Sequence, residues 1–204
     1  GTPSLSVHAP GNWAEAQMGG EEKTLSHTSA LLLKKALLSL HDVYKTYLPA
    51  DQELPAGQKL EITMECTHHG PAVEKPCLFI EIGSSEQQWS NKEYGELIAR
   101  AIIQIFAVEL PGQKVAIGLG GTHYCANFNK ILLRTDIALS HVCPKHMLAH
   151  LDENMLQQAI AKTLEPVDFI LLDWKGLGQE KARLVELLEH MQLSWKRVDQ
   201  LLKA

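Results

Sequence analysis

Short apolar segments alternate with longer amphipathic ones along the chain, and this order constrains the fold more than any other feature. Residues 60–66 alternate strictly between apolar and polar side chains, which predicts a strand. The apolar run 169–173 predicts a strand of the buried, parallel type. Residues 26–47 carry leucines at helical spacing after a capping serine. This alternation predicts an α/β fold with a mixed, largely parallel sheet.

The remaining elements follow from the same patterns. Further strands are predicted at 5–8, 77–82, 114–119, 131–139 and 194–198. Further helices are predicted at 91–107, 144–151, 152–164 and 179–191, with Asn91 and Asp152 as caps. A polar, proline-punctuated connection is predicted at 49–58, and residues 1–204 are expected to form one domain. In such a fold, ligands bind beyond the carboxyl ends of the strands.

Composition excludes several classes of function. The 204 residues carry 19 basic and 24 acidic side chains, a net charge of −5, so a broad surface for duplex DNA is not expected. A small footprint on one nucleic-acid strand end remains open. No apolar run approaches the roughly 18 residues of a membrane span. The four cysteines are spread singly, which indicates reduced thiols in a cytoplasmic protein, and we expect a monomer.

Ten histidines are present, and two of them stand together in Thr67-His68-His69-Gly70-Pro71. The motif directly follows the strand predicted at 60–66, and its glycine and proline force a sharp turn. Imidazole titrates near neutral pH, so the pair suits general acid–base catalysis or metal ligation. The alternative is a pair of turn histidines that are hydrogen-bonded to the backbone.

A second motif, Gly118 to Tyr124, also ends a predicted strand. The amides of Gly120 and Gly121 could form an oxyanion hole. The motif lacks the lysine of a Walker loop and the third glycine of a dinucleotide fingerprint. The alternative is a glycine turn beside a packed tyrosine. If both motifs are functional, two strand ends bring His68, His69 and His123 to one crevice.

Three weaker signals complete the candidates. His146 and His150 have the i, i+4 spacing of two zinc ligands on one helical face, with His141 nearby, although a solvated helix face is equally compatible. Asn12 could donate a hydrogen bond to a substrate carbonyl, and Glu81 could orient a histidine, as carboxylates commonly do.

The order of these motifs resembles that of the D-aminoacyl-tRNA deacylases of the archaeal and plant type, from about Leu5 to Val198. The resemblance is carried by VHAPGN, TMECTHHGP, EIGSSEQQW, GLGGTHY and SHVCPKHMLAHL. It implies hydrolysis of the ester between a D-amino acid and the 3′ end of tRNA, which recycles mischarged tRNA. It also implies zinc as a cofactor and a three-layer α/β/α fold of the phosphorylase/peptidyl-tRNA-hydrolase type.

The chain departs from the family pattern at three places. Family members carry a strand–helix segment ahead of the point that matches Thr2, so we expect the chain to be truncated at its N-terminus relative to the family. Cys125-Ala126-Asn127 stands where the family favours Ala-Pro and a basic residue. His146 stands where a tyrosine is expected, so it is not assigned a function, whereas His141 and His150 match family positions.

The resemblance and the motifs together assign roles. Water is the nucleophile, and His68 or His69 acts as general base or holds a zinc-bound water. His123 completes the catalytic set with Glu65 and Thr67, and either Glu65 or Glu81 orients an imidazole. Substrate binding is assigned to Asn12, Glu81, Gly120, Gly121, Thr122 and Tyr124. Zinc, if required, is assigned to His69, His123, His141 and His150.

Two other functions remain open at this stage. The chain could be a histidine-based hydrolase or phosphorylase of a nucleoside or small ester, which would not depend on the tRNA body. It could also be a non-catalytic remnant that binds tRNA ends or a partner protein. Catalysis without metal is a further variant of the deacylase interpretation.

Overall fold

The computed structural model describes residues 2–16, 18–47 and 60–203. The strands are β1 (Ser4–His8), β2 (Glu61–Met64), β3 (Phe79–Gly83), β4 (Lys114–Leu119), β5 (Ile137–Cys143), β6 (Phe169–Leu172) and β7 (Trp195–Arg197). The helices are α1 (Ala30–Tyr47), α2 (Glu86–Trp89), α3 (Lys92–Ile105), α4 (Ala126–Arg134), α5 (Glu153–Ala161), α6 (Lys181–His190) and α7 (Val198–Leu201). Two short 3-10 helices cover Lys145–His150 and Gly178–Glu180.

The strands form two sheets. A four-stranded sheet has the order β5-β4-β6-β7, and all of its strands are parallel. A three-stranded sheet has the order β2-β1-β3, in which β1 is parallel to β2 and antiparallel to β3. The predicted α/β class with largely parallel strands is therefore confirmed, with the strands divided between two sheets.

Both faces of the four-stranded sheet are buried, because successive side chains along a strand point to opposite faces. Ala116 and Leu171 face the cluster that contains α1, α4 and the three-stranded sheet. Ile117 and Ile170 face the cluster that contains α5 and α6. Helices that cover both faces leave the ends of the strands as the place where polar side chains can converge.

The predicted and the observed secondary structure differ most around residue 131. The strand predicted at 131–139 is wrong in its first half, because α4 continues to Arg134 and β5 begins only at Ile137. Phe128, Ile131 and Leu132 of α4 are all buried, and their spacing of three and four is that of a helix face. Tertiary burial of this face outweighs the β-propensity of the Ile-Leu-Leu run.

The predicted cap at Ser26 is wrong, because α1 begins only at Ala30 and it is Ser29 Oγ that accepts from the Leu32 amide. Other predicted boundaries agree more closely with the structure. The side chains of Asn91 and Asp152 accept hydrogen bonds from the first-turn amides of α3 and α5, which confirms both caps. The helix predicted at 144–151 is a 3-10 helix. The connection predicted at 49–58 lies outside the described residues. Within the described ranges, no helix has both the length and the apolarity to cross a membrane.

Candidate active site

Four histidines from three separate segments pack ring against ring beyond the carboxyl ends of β1, β2 and β4. His8 is the last residue of β1, whereas His68, His69 and His123 lie in the turns that follow β2 and β4. The His68 ring centroid lies 4.1 Å from that of His8, 4.5 Å from that of His69 and 4.6 Å from that of His123. These four residues form the histidine cluster, which brings together His69 and His123 from distant parts of the sequence.

Main-chain contacts hold the cluster in place. The Cys66 amide donates to the His123 carbonyl over 2.8 Å, and the Thr67 amide donates to the Val142 carbonyl over 2.9 Å. The turn that follows is very close-packed, since a Cβ on Gly70 would stand 2.2 Å from the Gly20 amide nitrogen. Only glycine fits at residue 70. This close packing fixes the backbone of the turn and with it the positions of His68 and His69.

Two carboxylates each lie close to two of the imidazole rings. Buried Glu65 places Oε2 3.1 Å from His123 Nε2 and 3.6 Å from His68 Nε2. Glu81 of β3 places Oε1 3.4 Å from His8 Nε2 and 3.7 Å from His69 Nε2. The arrangement places a carboxylate beside every ring of the histidine cluster.

The backbone also sets the tautomers of three rings. His8, His68 and His69 each place Nδ1 within hydrogen-bond distance of a main-chain carbonyl, at 3.1, 2.8 and 2.6 Å. A carbonyl oxygen only accepts, so Nδ1 carries the proton and Nε2 of the neutral ring keeps its lone pair. These Nε2 atoms can therefore accept a proton or ligate a metal.

The pKa values of His68 and His123 are shifted in opposite directions. Burial, reinforced by neighbouring His8, lowers the pKa of His68 to about 4. The Cys66 thiol and the Glu65 carboxylate raise the pKa of His123 to about 10. Burial alone would raise the pKa of Glu65, but its hydrogen bond to His123 leaves it below the ordinary value. At neutral pH a neutral His68 thus stands beside a positively charged His123, a pairing suited to one base and one acid.

The cluster opens into a cavity of about 130 Å³. His68, His69 and His123 line it together with Cys66 and Thr67. Its other walls come from Gly11, Asn12, Trp13, Glu15, Met18, Pro144, His146 and Met147. A small substrate group entering this cavity would contact the imidazoles directly.

The same side chains include combinations that can ligate a metal. Among the described residues, His8, His68 and His69 form one group of ligand atoms that all lie within 4.8 Å of one another. Cys66, His68 and His123 form a second group of this kind, and His8 with the two glutamates forms a third. Imidazole, thiolate and carboxylate are the ligands that zinc uses in proteins.

The predicted zinc set of His69, His123, His141 and His150 does not converge. His141 lies in β5, fully buried, with Nδ1 3.3 Å from Thr67 Oγ1 and its ring edge-on to Trp13. His150 is exposed at the end of its 3-10 helix. With three residues per turn, the i, i+4 spacing no longer places His146 and His150 on one face. Of these two, only His146 lines the cavity.

The predicted oxyanion hole also requires correction. The Gly120 amide donates to the Cys143 carbonyl over 2.9 Å, so it is not free for a substrate. A Cβ on Gly176 would stand 2.3 Å from the Gly121 nitrogen, which places Gly121 against the turn after β6. Neither glycine lines the cavity. These glycines permit two turns to pack closely.

The remaining predicted residues, catalytic Thr67 and the substrate-binding candidates Asn12, Thr122 and Tyr124, lie as follows. The Asn12 side-chain amide donates to the Gly19 and Glu21 carbonyls, at 3.0 and 3.1 Å, so neither of its hydrogens is free for a substrate in this conformation. Thr67 Oγ1 accepts from the Val142 amide. The Thr122 carbonyl accepts from the Cys125 amide, and Tyr124 lines a separate cavity.

Sequence reasoning missed His8 and Cys66 as members of the site. His8 is fully buried and contacts His68, His69 and Glu81, and Cys66 Sγ lies 3.7 Å from His123 Nδ1. The signal for His8 was its position at the end of the first predicted strand, the same rule that selected the other histidines.

A largely parallel α/β fold with imidazoles and carboxylates at its strand ends defines a protein with an acid–base site. The family model described as D-aminoacyl-tRNA deacylase matches residues 1–196. The D-aminoacyl-tRNA deacylase of Methanocaldococcus jannaschii is 37% identical over 203 residues, which is 96% of this chain and 76% of that protein. The chain belongs to the D-aminoacyl-tRNA deacylase family.

Other relatives extend beyond the matched region. The D-aminoacyl-tRNA deacylase of Pyrococcus furiosus is 35% identical over 91% of this chain, and the match covers 64% of that protein. The chain thus spans slightly less than two thirds of its length. A crystal structure of a conserved protein of unknown function, AF0625, superposes with a TM-score of 0.85 at 29% identity, over 98% of this chain and 67% of that one.

Proposed function

We propose that this chain hydrolyses the ester bond between a D-amino acid and the 3′ end of tRNA, and that it does so in the cytoplasm as a monomer. The observation that carries the proposal is the histidine cluster, in which neutral His68 and charged His123 flank one cavity and share Glu65. The names of the relatives support the substrate class.

The reaction uses water as the nucleophile. His68 Nε2 accepts a proton from water as the oxygen adds to the ester carbonyl carbon. The positive charge of His123 stabilises the developing oxyanion, and Cys66 and Glu65 keep its ring protonated. The C–O bond to the ribose then breaks, and a proton passes to the ribose oxygen. The products are a free D-amino acid and tRNA.

The donor set also fits a zinc ion. We propose His8, Glu65 and Glu81 as its holders, because their ligand atoms lie within 4.8 Å of one another and the His8 Nε2 lone pair is left free by the Nδ1 hydrogen bond, while His68 Nε2 stays available for the proton. A zinc ion at such a site lowers the pKa of bound water to about 7.

Metal dependence has a direct test. Protein purified without added metal is expected to retain zinc, and chelation is expected to abolish most hydrolysis, which stoichiometric zinc then restores. Replacing His8 with alanine is expected to reduce the bound zinc measured by elemental analysis, whereas His190→Ala, on the surface of α6, leaves it unchanged. Full turnover in metal-free protein would rule out the zinc requirement.

Stereoselective deacylation tests the function itself. Wild-type protein is expected to hydrolyse D-aminoacyl-tRNA and to leave L-aminoacyl-tRNA intact. His69→Ala removes an imidazole that lines the cavity beside His68, so most of the D-specific activity is expected to be lost. Release of labelled amino acid from both substrates measures the outcome.

Equal hydrolysis of a small D-amino acid ester of adenosine and of the full tRNA would favour the nucleoside or small-ester alternative. Binding without turnover would favour the non-catalytic alternative.

A further inference from the structure

A group of cations surrounds Trp174 beyond the carboxyl end of β6. Arg197 Cζ lies 4.5 Å from the centroid of the Trp174 ring, and Lys181 Nζ lies 5.0 Å from it. Trp174 in turn stacks on Trp195, with ring centroids 6.2 Å apart and planes 6° apart. The cation–π contacts hold these side chains in place, so their charges are positioned before any partner arrives.

Two more lysines belong to this group. Lys175 is exposed directly after Trp174. Lys145 stands between Pro144 and His146, which both line the cavity, and its amide donates to the Gly121 carbonyl. Its side chain packs against the turn after β6, since Lys145 Cε lies 3.4 Å from the point where a Cβ on Gly178 would stand. We call Lys145, Lys175, Lys181, Arg197 and Trp174 the basic face.

The acidic neighbours leave most of this charge uncompensated. Asp199 pairs with Arg197 at 2.7 Å, and Glu180 pairs with Arg183. Asp173 is almost fully buried and accepts from Asn127. Across the described ranges, Lys145, Lys175 and Lys181 form no ion pair. In a chain whose net charge is −5, these three lysines, of which Lys145 adjoins the cavity residues Pro144 and His146, form a local positive surface.

We propose that the basic face binds the phosphates of the acceptor strand of tRNA. This inference rests on the proposed function, because the ester is attached to the end of an RNA strand that must leave the cavity along one of its rims. Lys145 lies within the rim segment 144–147, and its side chain packs against Gly178, in the connection that runs from Trp174 and Lys175 to Lys181. Lysine contacts with phosphates supply affinity and position without reading sequence, as an enzyme that acts on many tRNAs requires.

Charge reversal tests the proposal. The double variant Lys175→Glu/Lys181→Glu is expected to weaken the binding of uncharged tRNA by about 10-fold or more at low salt and to flatten the salt dependence of the Kd. For D-aminoacyl-tRNA the KM is expected to rise, whereas hydrolysis of the D-amino acid ester of adenosine stays at the wild-type rate. The matched control, Lys92→Glu/Lys114→Glu, makes the same charge change at exposed positions on α3 and at the amino end of β4.

The outcomes separate this proposal from the proposed function. Equal tRNA affinity in the two double variants would overturn the basic face, even if the wild type hydrolyses D-aminoacyl-tRNA. Weakened binding only in the Lys175→Glu/Lys181→Glu variant would support the face, even if no variant shows hydrolysis, in which case the proposed function alone fails. Loss of adenosine-ester hydrolysis in that variant would assign the lysines to the catalytic cavity and contradict their role in binding the strand.

Discussion

Replacing His68 with alanine is expected to lower the kcat for D-aminoacyl-tRNA hydrolysis by about 10²- to 10⁴-fold, the usual contribution of a positioned general base. The KM is expected to change little, because the imidazole acts on water during the reaction. His123→Ala is expected to cause a loss of similar size, since the charge that faces the oxyanion disappears. Single-turnover rates of deacylation measure both effects.

The double variant distinguishes a shared role from two separate ones. His68 and His123 both contact Glu65, so they are expected to act as a unit, and the double variant should lose scarcely more activity than the worse single variant. His190→Ala, an exposed histidine on α6, serves as the control. Unchanged kcat in a correctly folded His68→Ala variant would refute the assignment of the base.

Acid is expected to destabilise the fold through His141, which lies outside the histidine cluster. Burial lowers the pKa of His141 to about 3, whereas the unfolded chain has an ordinary pKa near 6.5. Between these pH values the unfolded state binds more protons, so stability falls as the pH falls. The loss attributable to this one side chain is about 2 kcal/mol at pH 5 relative to neutral pH.

Urea unfolding at pH 7 and pH 5 measures this loss. His141→Gln keeps a polar group near Thr67 Oγ1 but cannot titrate, so its unfolding free energy is expected to fall by about 2 kcal/mol less than that of the wild type over this range. His190→Gln, made on the protein surface, controls for the removal of a histidine. The same pH dependence in His141→Gln and in the wild type would contradict a buried, neutral His141.

Much of the fold could be predicted because its patterns are local. The strand at 114–119 matches β4, since an apolar run ends there at a glycine turn. The strand at 131–139 was misplaced because its Ile-Leu-Leu run fits both a strand and the buried face of α4. Such a run is assigned by what packs against it, and packing partners distant in sequence are invisible to a local pattern.

The residues of the candidate site also divide into those that local patterns predict and those that they do not. His68, His69 and His123 could be selected because they follow strand ends, a rule that depends only on the order of elements. Gly120 and Gly121 were misread because a glycine turn serves close packing as readily as anion binding. His141 was misread because its position in the motif does not reveal that the side chain points into the core.

The close contact between Gly70 and Gly20 has a consequence for how the site forms during folding. It joins the loop after β1 to the turn after β2, while the Cys66 amide ties that turn to the loop after β4. Each closure spans about fifty residues or more of chain. The chain therefore loses the conformational entropy of both loops before the imidazole rings of the histidine cluster come into contact. Regained activity in a refolding experiment would therefore report the completed tertiary structure, and a helical intermediate would be inert.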